Sequence, residues 1–288
     1  MEMVHFIPPS QRRLAMLAAQ AEAAPVLIRG GSGTGKGAIA RWIHLNGPRA
    51  ALPLIEADRK FPLALQFPKA QGGTFIISEV GEWPLSEQKI LLGFLRTKSI
   101  TVSGMTTLLN VRIIATTSAA LEGRAQGGLF NPELLPALNV FRLEMPALAE
   151  RFDEFEDIVT GILGEITREV HKEHLRSITP DALSALRGYD WPGNIRELRN
   201  VLRIAAVATR GDTVELSSLP EFGHDRIDFR ATRDQFEKIY LLELLKTFDW
   251  EVDRTSKMAR IDKDTLLAKI QKHGIELERP PTERSPSL

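Results

Sequence analysis

Residues 25–37 read Pro25-Val-Leu-Ile-Arg-Gly-Gly-Ser-Gly-Thr-Gly-Lys-Gly37. A short apolar run that stops at glycines reads as a buried strand followed by a tight loop. The loop fits G-x4-G-K but closes on Gly37 where Ser or Thr is usual. Glycines let backbone N–H groups turn inward around a phosphate, and the next helix offers its N-terminal dipole. Lys36 adds a positive charge for the terminal phosphates. The candidate phosphate-binding residues are therefore Gly30, Gly31, Ser32, Gly33, Thr34, Gly35, Lys36 and Gly37. A glycine-rich turn without a ligand is the plainer alternative.

Around this loop the pattern alternates. Lys36 to Asn46 has helical spacing, with Ile39, Trp42, Ile43 and Leu45 apolar. Further strand candidates are Leu54–Ala57, Thr74–Ile77 and Val111–Ala115, with a helix from Glu87 to Thr97 between the last two. Short strands alternating with helices predict a parallel sheet covered on both sides. After Pro146 the pattern is helical only: one helix over Phe155–His174, one opened by Thr179-Pro180, and one over Ile195–Thr209 after the turn Trp191-Pro192-Gly193-Asn194. Ser217–Asp228 reads as a linker. A last helical block spans about Ala231–Gly274, before a polar tail.

The chain has 288 residues, 43% of them hydrophobic, a formal net charge of zero and no cysteine. Disulfides, thiolate metal sites and cysteine nucleophiles are excluded. No apolar run nears the roughly 18 residues of a membrane span, and the N-terminus lacks a signal-peptide pattern. A cytoplasmic location is expected. With no global field, a nucleic-acid partner has to be held by a local patch.

Several ordered stretches resemble the AAA+ domain of bacterial enhancer-binding proteins, the sigma-54-dependent transcription activators. They are VLIRGGSGTGKGAIARWIH, GGTFIISEVGEWPLSEQKILLGFL, VRIIATTSAAL, LNVFRLEMPALAER and YDWPGNIRELRN. The closing stretch, DWEVDRTSKMARIDKDTLLAKIQKHGI, is similar to a Fis-like helix-turn-helix. The resemblance covers about residues 5–275. It implies an α/β P-loop core over residues 1–145, a small helical lid over 146–222, an all-α DNA-binding domain over 223–276 and a disordered tail over 277–288. Since the likeness starts within the first ten residues, no preceding sensory domain is expected.

The departures fall on the chemistry. The strand that carries the family's Asp-Glu pair ends here in Ser78-Glu79, and a hydroxyl is a poor substitute for the carboxylate that holds magnesium through water. Glu79, which matches the water-polarising glutamate, remains. The two arginine positions of the family's trans-acting segment are Asn131 and Ala137; an arginine finger is worth about 10³–10⁵ in rate. Ser118 stands where an asparagine sensor is usual, and Asp58 is aligned loosely with the family's switch asparagine. Arg196 matches the lid sensor arginine. The interval Pro53–Gly73 is about half the expected length and holds no GAFTGA motif. Together these imply binding of ATP or ADP, magnesium binding weakened or lost, and no certain metal site.

In the terminal motif, Asp262 is placed to cap a helix beginning at Lys263. Residues 252–274 hold six Lys/Arg against three Asp. The expected DNA contacts are Lys263, Thr265, Lys269 and Lys272. Arg260 replaces a turn glycine, and Leu267-Ala268 replaces a common Tyr-Arg pair. Leu241, Leu242, Leu244 and Leu245 form either a dimer face or local core. The reading is a DNA-binding transcription regulator with a degenerate ATPase site that does not activate sigma-54 polymerase. Its expected partners are duplex DNA, further copies of the chain as a dimer or AAA+ oligomer, and a regulatory protein or small-molecule ligand, with no membrane. The alternatives are a slow AAA+ ATPase that remodels a partner and a protein-interaction scaffold.

Overall fold

A computed structural model describes residues 6–220, 222, 237, 238, 240–242, 244–275 and 277. The expected disordered tail beyond 277 and most of the expected linker lie outside the described residues. Two compact units are present: residues 1–161 with 190–198, and residues 162–189 with 199–288.

The first unit is built on a five-stranded sheet in the order β2-β3-β6-β1-β7. The strands are β1 (Val26–Gly30), β2 (Leu54–Glu56), β3 (Thr74–Ile77), β6 (Arg112–Thr117) and β7 (Phe141–Met145). All pair in parallel, with Val26 opposite Ile114 and Phe141, and Phe75 opposite Ile113. The alternation along each strand splits the core in two. Leu27, Phe75, Ile77, Ile113 and Ala115 point to one face, where Phe67 stacks on Phe94 at 4.5 Å. Val26, Ile28, Ile76, Ile114 and Leu143 point to the other, under α1 (Pro9–Gln20) and α2 (Lys36–Leu45). The parallel α/β architecture expected from the sequence is the one found. Strands β4 (Ser99–Val102) and β5 (Met105–Leu108) form a separate antiparallel hairpin.

At the end of the sheet away from the glycine loop, two buried guanidinium groups tie the connections together. Arg49 donates to the carbonyls of Glu22, Gly72, Gly73 and Asn110 and to Oδ1 of Asn110, at 2.6–3.2 Å. Arg112 donates to the carbonyls of Ala18 and Ala24. Burial, and then the neighbouring Arg49 charge, push Arg112 down to about 10.

In the second unit, Thr179 caps the helix Pro180–Arg187 by accepting from the Ala182 N–H. The helix that starts at Phe155 ends at Glu169, earlier than the expected His174, and His171 takes φ 55°. Lys172 then donates to the last carbonyls of the helix Asn194–Ala208, at Ala206 and Val207, and to Thr209, placing a cation at the negative end of that helix. The terminal pair is Val252–Ala259 and Lys263–Lys272, joined through Arg260 in the left-handed region at φ 53°. Leu241 and Leu245 are buried against Leu266, Ile270 and Ile275, with Leu242 packed beside them. These leucines are local core.

Arg49→Ala would remove five hydrogen bonds made by one buried guanidinium at this end of the sheet. It is expected to lower the unfolding free energy of the first unit by about 3 kcal/mol, measured by denaturant titration.

Candidate functional site

The glycine loop lies at the C-terminal end of β1, between β6 and β7, where ligands bind in open parallel sheets. Two of its glycines are sterically required. A Cβ on Gly30 would meet the Met145 carbonyl oxygen at 2.4 Å, and one on Gly33, at φ 79°, would meet that of Gly193 at 2.1 Å. Lys36 opens α2 and is only 6% exposed. Its Nζ donates to the carbonyls of Gly30 and Gly31 at 2.8 and 2.9 Å and lies 3.3 Å from Oε1 of Glu79.

Glu79 follows β3 and adopts φ 50°. Its second carboxylate oxygen accepts from the backbone N–H and the hydroxyl of Ser118, at 2.6 and 2.8 Å. Burial would raise its pKa. The two Ser118 hydrogen bonds and the Lys36 charge outweigh burial and hold Glu79 below the ordinary carboxylate range. Ser78 is exposed, and its carbonyl accepts from Trp83 Nε1. The partner of Glu79 is Ser118, whereas Asp58 turns its carboxylate onto the Lys60 N–H. Arg59, which the sequence reading passed over, donates to the Glu79 carbonyl and to Glu82.

The segment 190–198 closes on the loop. Asn194, at φ 54° and 7% exposed, donates through Nδ2 to the Ser32 carbonyl at 2.9 Å and accepts the Leu148 N–H at 2.8 Å. The Arg196 N–H donates to the Gly33 carbonyl at 3.1 Å, and its guanidinium is exposed. Asn194 was also missed; a buried Asn at the exit of a Trp-Pro-Gly turn was the available signal. Asn131 caps its own turn, its Oδ1 accepting from the Glu133 N–H, and Ala137 packs on the core. Neither position offers a cation.

In the terminal pair of helices, Oδ2 of Asp262 accepts the Asp264 and Thr265 N–H groups, so the expected cap forms. Thr265 is exposed. Four of the basic residues are engaged: Lys263 pairs with Asp253 at 2.6 Å, and Lys269, Lys272 and His273 converge on Glu237. Hydrogen bonds from Lys269, then His273 and Lys272, bring Glu237 down to about 2.

A P-loop on a five-stranded parallel sheet, with a helical segment packed on the loop, defines an AAA+ P-loop NTPase fold with a lid. Residues 9–148 match the Sigma-54 interaction domain and residues 149–234 the AAA+ ATPase lid domain. The chain is thus built of a Sigma-54 interaction domain followed by an AAA+ ATPase lid domain, and its relatives include transcriptional regulatory proteins. It is 33% identical over 282 residues to the alginate biosynthesis transcriptional regulatory protein AlgB of Pseudomonas syringae pv. tomato, covering 88% of this chain and 62% of the relative. It is 31% identical to the regulatory protein AtoC of Escherichia coli, covering 88% and 63%. The chain thus spans less than two thirds of these relatives' length. NtrX from Brucella abortus, solved in complex with ATP, superposes with a TM-score of 0.65 at 27% identity, covering 92% of this chain and 67% of that one. The same protein has been solved with ADP. Among the described residues no helix is long and apolar enough to cross a membrane.

The Glu237 cluster makes a pH prediction. Because the folded pKa is depressed, the cluster's contribution to stability is present above the ordinary carboxylate value of 4.5 and is lost as pH falls toward about 2. A carboxyl-carbon NMR titration should place the Glu237 midpoint near 2 in the folded chain, and Lys269→Ala should raise it.

Proposed function

We propose that the chain is a DNA-binding transcription regulator of the enhancer-binding type whose core takes ATP or ADP as a ligand, turns it over poorly, and does not activate sigma-54 polymerase. The observation that carries this reading is the state of Glu79. Both its oxygens are engaged, one beside Lys36 and the other by two donors on Ser118. A general base needs a free oxygen aimed at the attacking water. The positions that would add magnesium and arginine charge hold Ser78, Asn131 and Ala137. The glycine loop, with Lys36 buried behind it and the Arg196 N–H on the Gly33 carbonyl, supports a binding role. The NtrX structures with ATP and ADP support a nucleotide in this fold. The sequence between Pro53 and Gly73 contains no GAFTGA motif with which to contact the sigma factor.

In this reading the terminal helices bind duplex DNA as a dimer. Thr265 meets base edges from the first turn of the second helix, and Lys263, Lys269 and Lys272 meet phosphates. A second reading, an interaction scaffold, draws support from one observation: each of those three lysines already has an acidic partner.

Lys36→Ala is expected to abolish nucleotide binding by calorimetry, and released phosphate should stay near background in both the wild type and Glu79→Gln. Magnesium-dependent turnover at the rate of a working AAA+ enzyme, lost in Glu79→Gln, would contradict the reading. For the DNA arm, binding of the full chain to genomic duplex fragments should fall steeply as salt rises. Salt-insensitive or absent binding at micromolar protein would favour the scaffold.

A further inference from the structure

The most informative position of the glycine loop is its last. In the general P-loop pattern the residue after the lysine is Ser or Thr, and its hydroxyl holds magnesium. Here Gly37 has no side chain. The carboxylate position on the adjacent strand is Ser78, an exposed neutral hydroxyl. Glu79, the carboxylate beside Lys36, has both oxygens engaged by Lys36 and Ser118. Among the described residues no group of three or more His, Cys, Asp or Glu could hold a metal. The donor set does not fit a hard divalent cation, which asks for anionic or carbonyl oxygens.

A different cation stands beside that position. Arg41 lies one turn further along α2, and a helical side chain reaches back toward the residue four positions before it. A Cβ built on Gly37 would lie 4.0 Å from Nη1 of Arg41. The guanidinium is anchored through Nε, which donates to Oε1 of Glu56 at 2.6 Å. Nη1 and Nη2 have no further partner among the described residues, and the side chain is 50% exposed. A Ser or Thr at 37 would set its side chain directly against Arg41 Nη1.

Resting on the nucleotide-ligand reading above, we propose that Arg41 takes the place of magnesium. With Lys36, it supplies the second positive charge to the terminal phosphates, so the site binds nucleotide without a divalent cation. The chemistry suits it. A guanidinium is always charged and presents a planar fork of donors that matches two phosphate oxygens. The pair with Glu56 is half exposed on both sides, which makes it weak, and it uses only Nε. Glu56 therefore orients the group without consuming its outer donors.

The test is calorimetric titration of the full chain with ATP and ADP, each in magnesium and in EDTA, for wild type, Arg41→Gln, Glu56→Gln and the double variant Gly37→Ser/Ser78→Asp. Circular dichroism confirms folding of each. The wild-type affinity should differ less than about twofold between the two buffers. Arg41→Gln should weaken binding about tenfold or more in EDTA, without rescue by magnesium. The double variant should acquire a magnesium requirement. Wild-type binding that needs magnesium, or Arg41→Gln binding as wild type in EDTA, overturns the proposal while leaving nucleotide binding intact. Magnesium-dependent binding lost in Glu56→Gln would assign a metal to the Glu56 carboxylate instead. Absence of binding for both nucleotides in both buffers removes the nucleotide reading itself, and Arg41 with it.

Discussion

The geometry of the site depends on the contact between Gly33 and the turn at Gly193. No side chain at 33 could coexist with the Gly193 carbonyl, 2.1 Å from where a Cβ would sit. The two backbones therefore pack as bare chain, and Asn194 bolts them together. Its amide spans from the Ser32 carbonyl to the Leu148 N–H and satisfies both. Buried backbone groups left unpaired cost free energy comparable to a lost hydrogen bond. The loop therefore cannot shift without also breaking the start of the segment that follows β7. The left-handed conformation this demands at 194 is one that Asn tolerates better than most residues. Arg196 follows two positions later, its backbone fixed on Gly33, so the exposed guanidinium is carried by an anchored stretch of chain.

The charges within this frame are paired with one another. Lys36 is buried and surrounded by carbonyls, and Glu79 is its only neighbouring carboxylate by ion-pair distance among the described residues. Ser118 completes the cage on the far oxygen of Glu79. A hydrogen-bonded anion beside an ammonium group is stabilised in its charged form and becomes a weaker base. A serine at 118 contributes two donors to one oxygen, the hydroxyl and the N–H, and the N–H is held by the strand end at Thr117. Ser78, Asn131 and Ala137 bring no charge to this frame, and Ser118 restrains the one carboxylate beside Lys36.

Much of the fold was legible from the sequence, because its signals are local. β3 runs from Thr74 to Ile77 as the apolar run indicates, and Thr179 and Asp262 cap their helices through bonds within three residues. What was not legible is long-range or uncharged. β7, Phe-Arg-Leu-Glu-Met, alternates polar and apolar residues and is only partly buried, so it lacks the continuous apolar run of its neighbours. The hairpin β4–β5 carries no charge and exposes every residue of its second strand, leaving no core-facing period to read. The Phe155 helix looked longer because Val170 keeps its period, but periodicity does not register a left-handed His171. Asn194 and Ser32 are 162 positions apart, and nothing in either neighbourhood announces the other. Gly37 is legible as a departure from the loop pattern, whereas the Arg41 guanidinium 4.0 Å from where its Cβ would sit is not.

The terminal helices show how a count of charges over a window misleads. Residues 252–274 carry a surplus of cations, but Glu237 lies outside that window and is folded back onto it, meeting Lys269, Lys272 and His273. Asp253 meets Lys263 across the turn. A phosphate approaching these lysines has to compete with a carboxylate already in place, so each contact yields less than a free lysine would. Exposed pairs of this kind are weak, and a polyanion with its condensed counterions can still displace them. Lys257 and Arg260 stand apart from this arrangement. Both belong to the first helix and its turn, both are exposed, and neither has an ion-pair partner among the described residues. If the module holds DNA, the cations that act at least cost are therefore on the helix that crosses the backbone, leaving the second helix to read bases through Thr265 and the exposed Leu267. That division suits an interface in which phosphate contacts set position and base contacts set sequence.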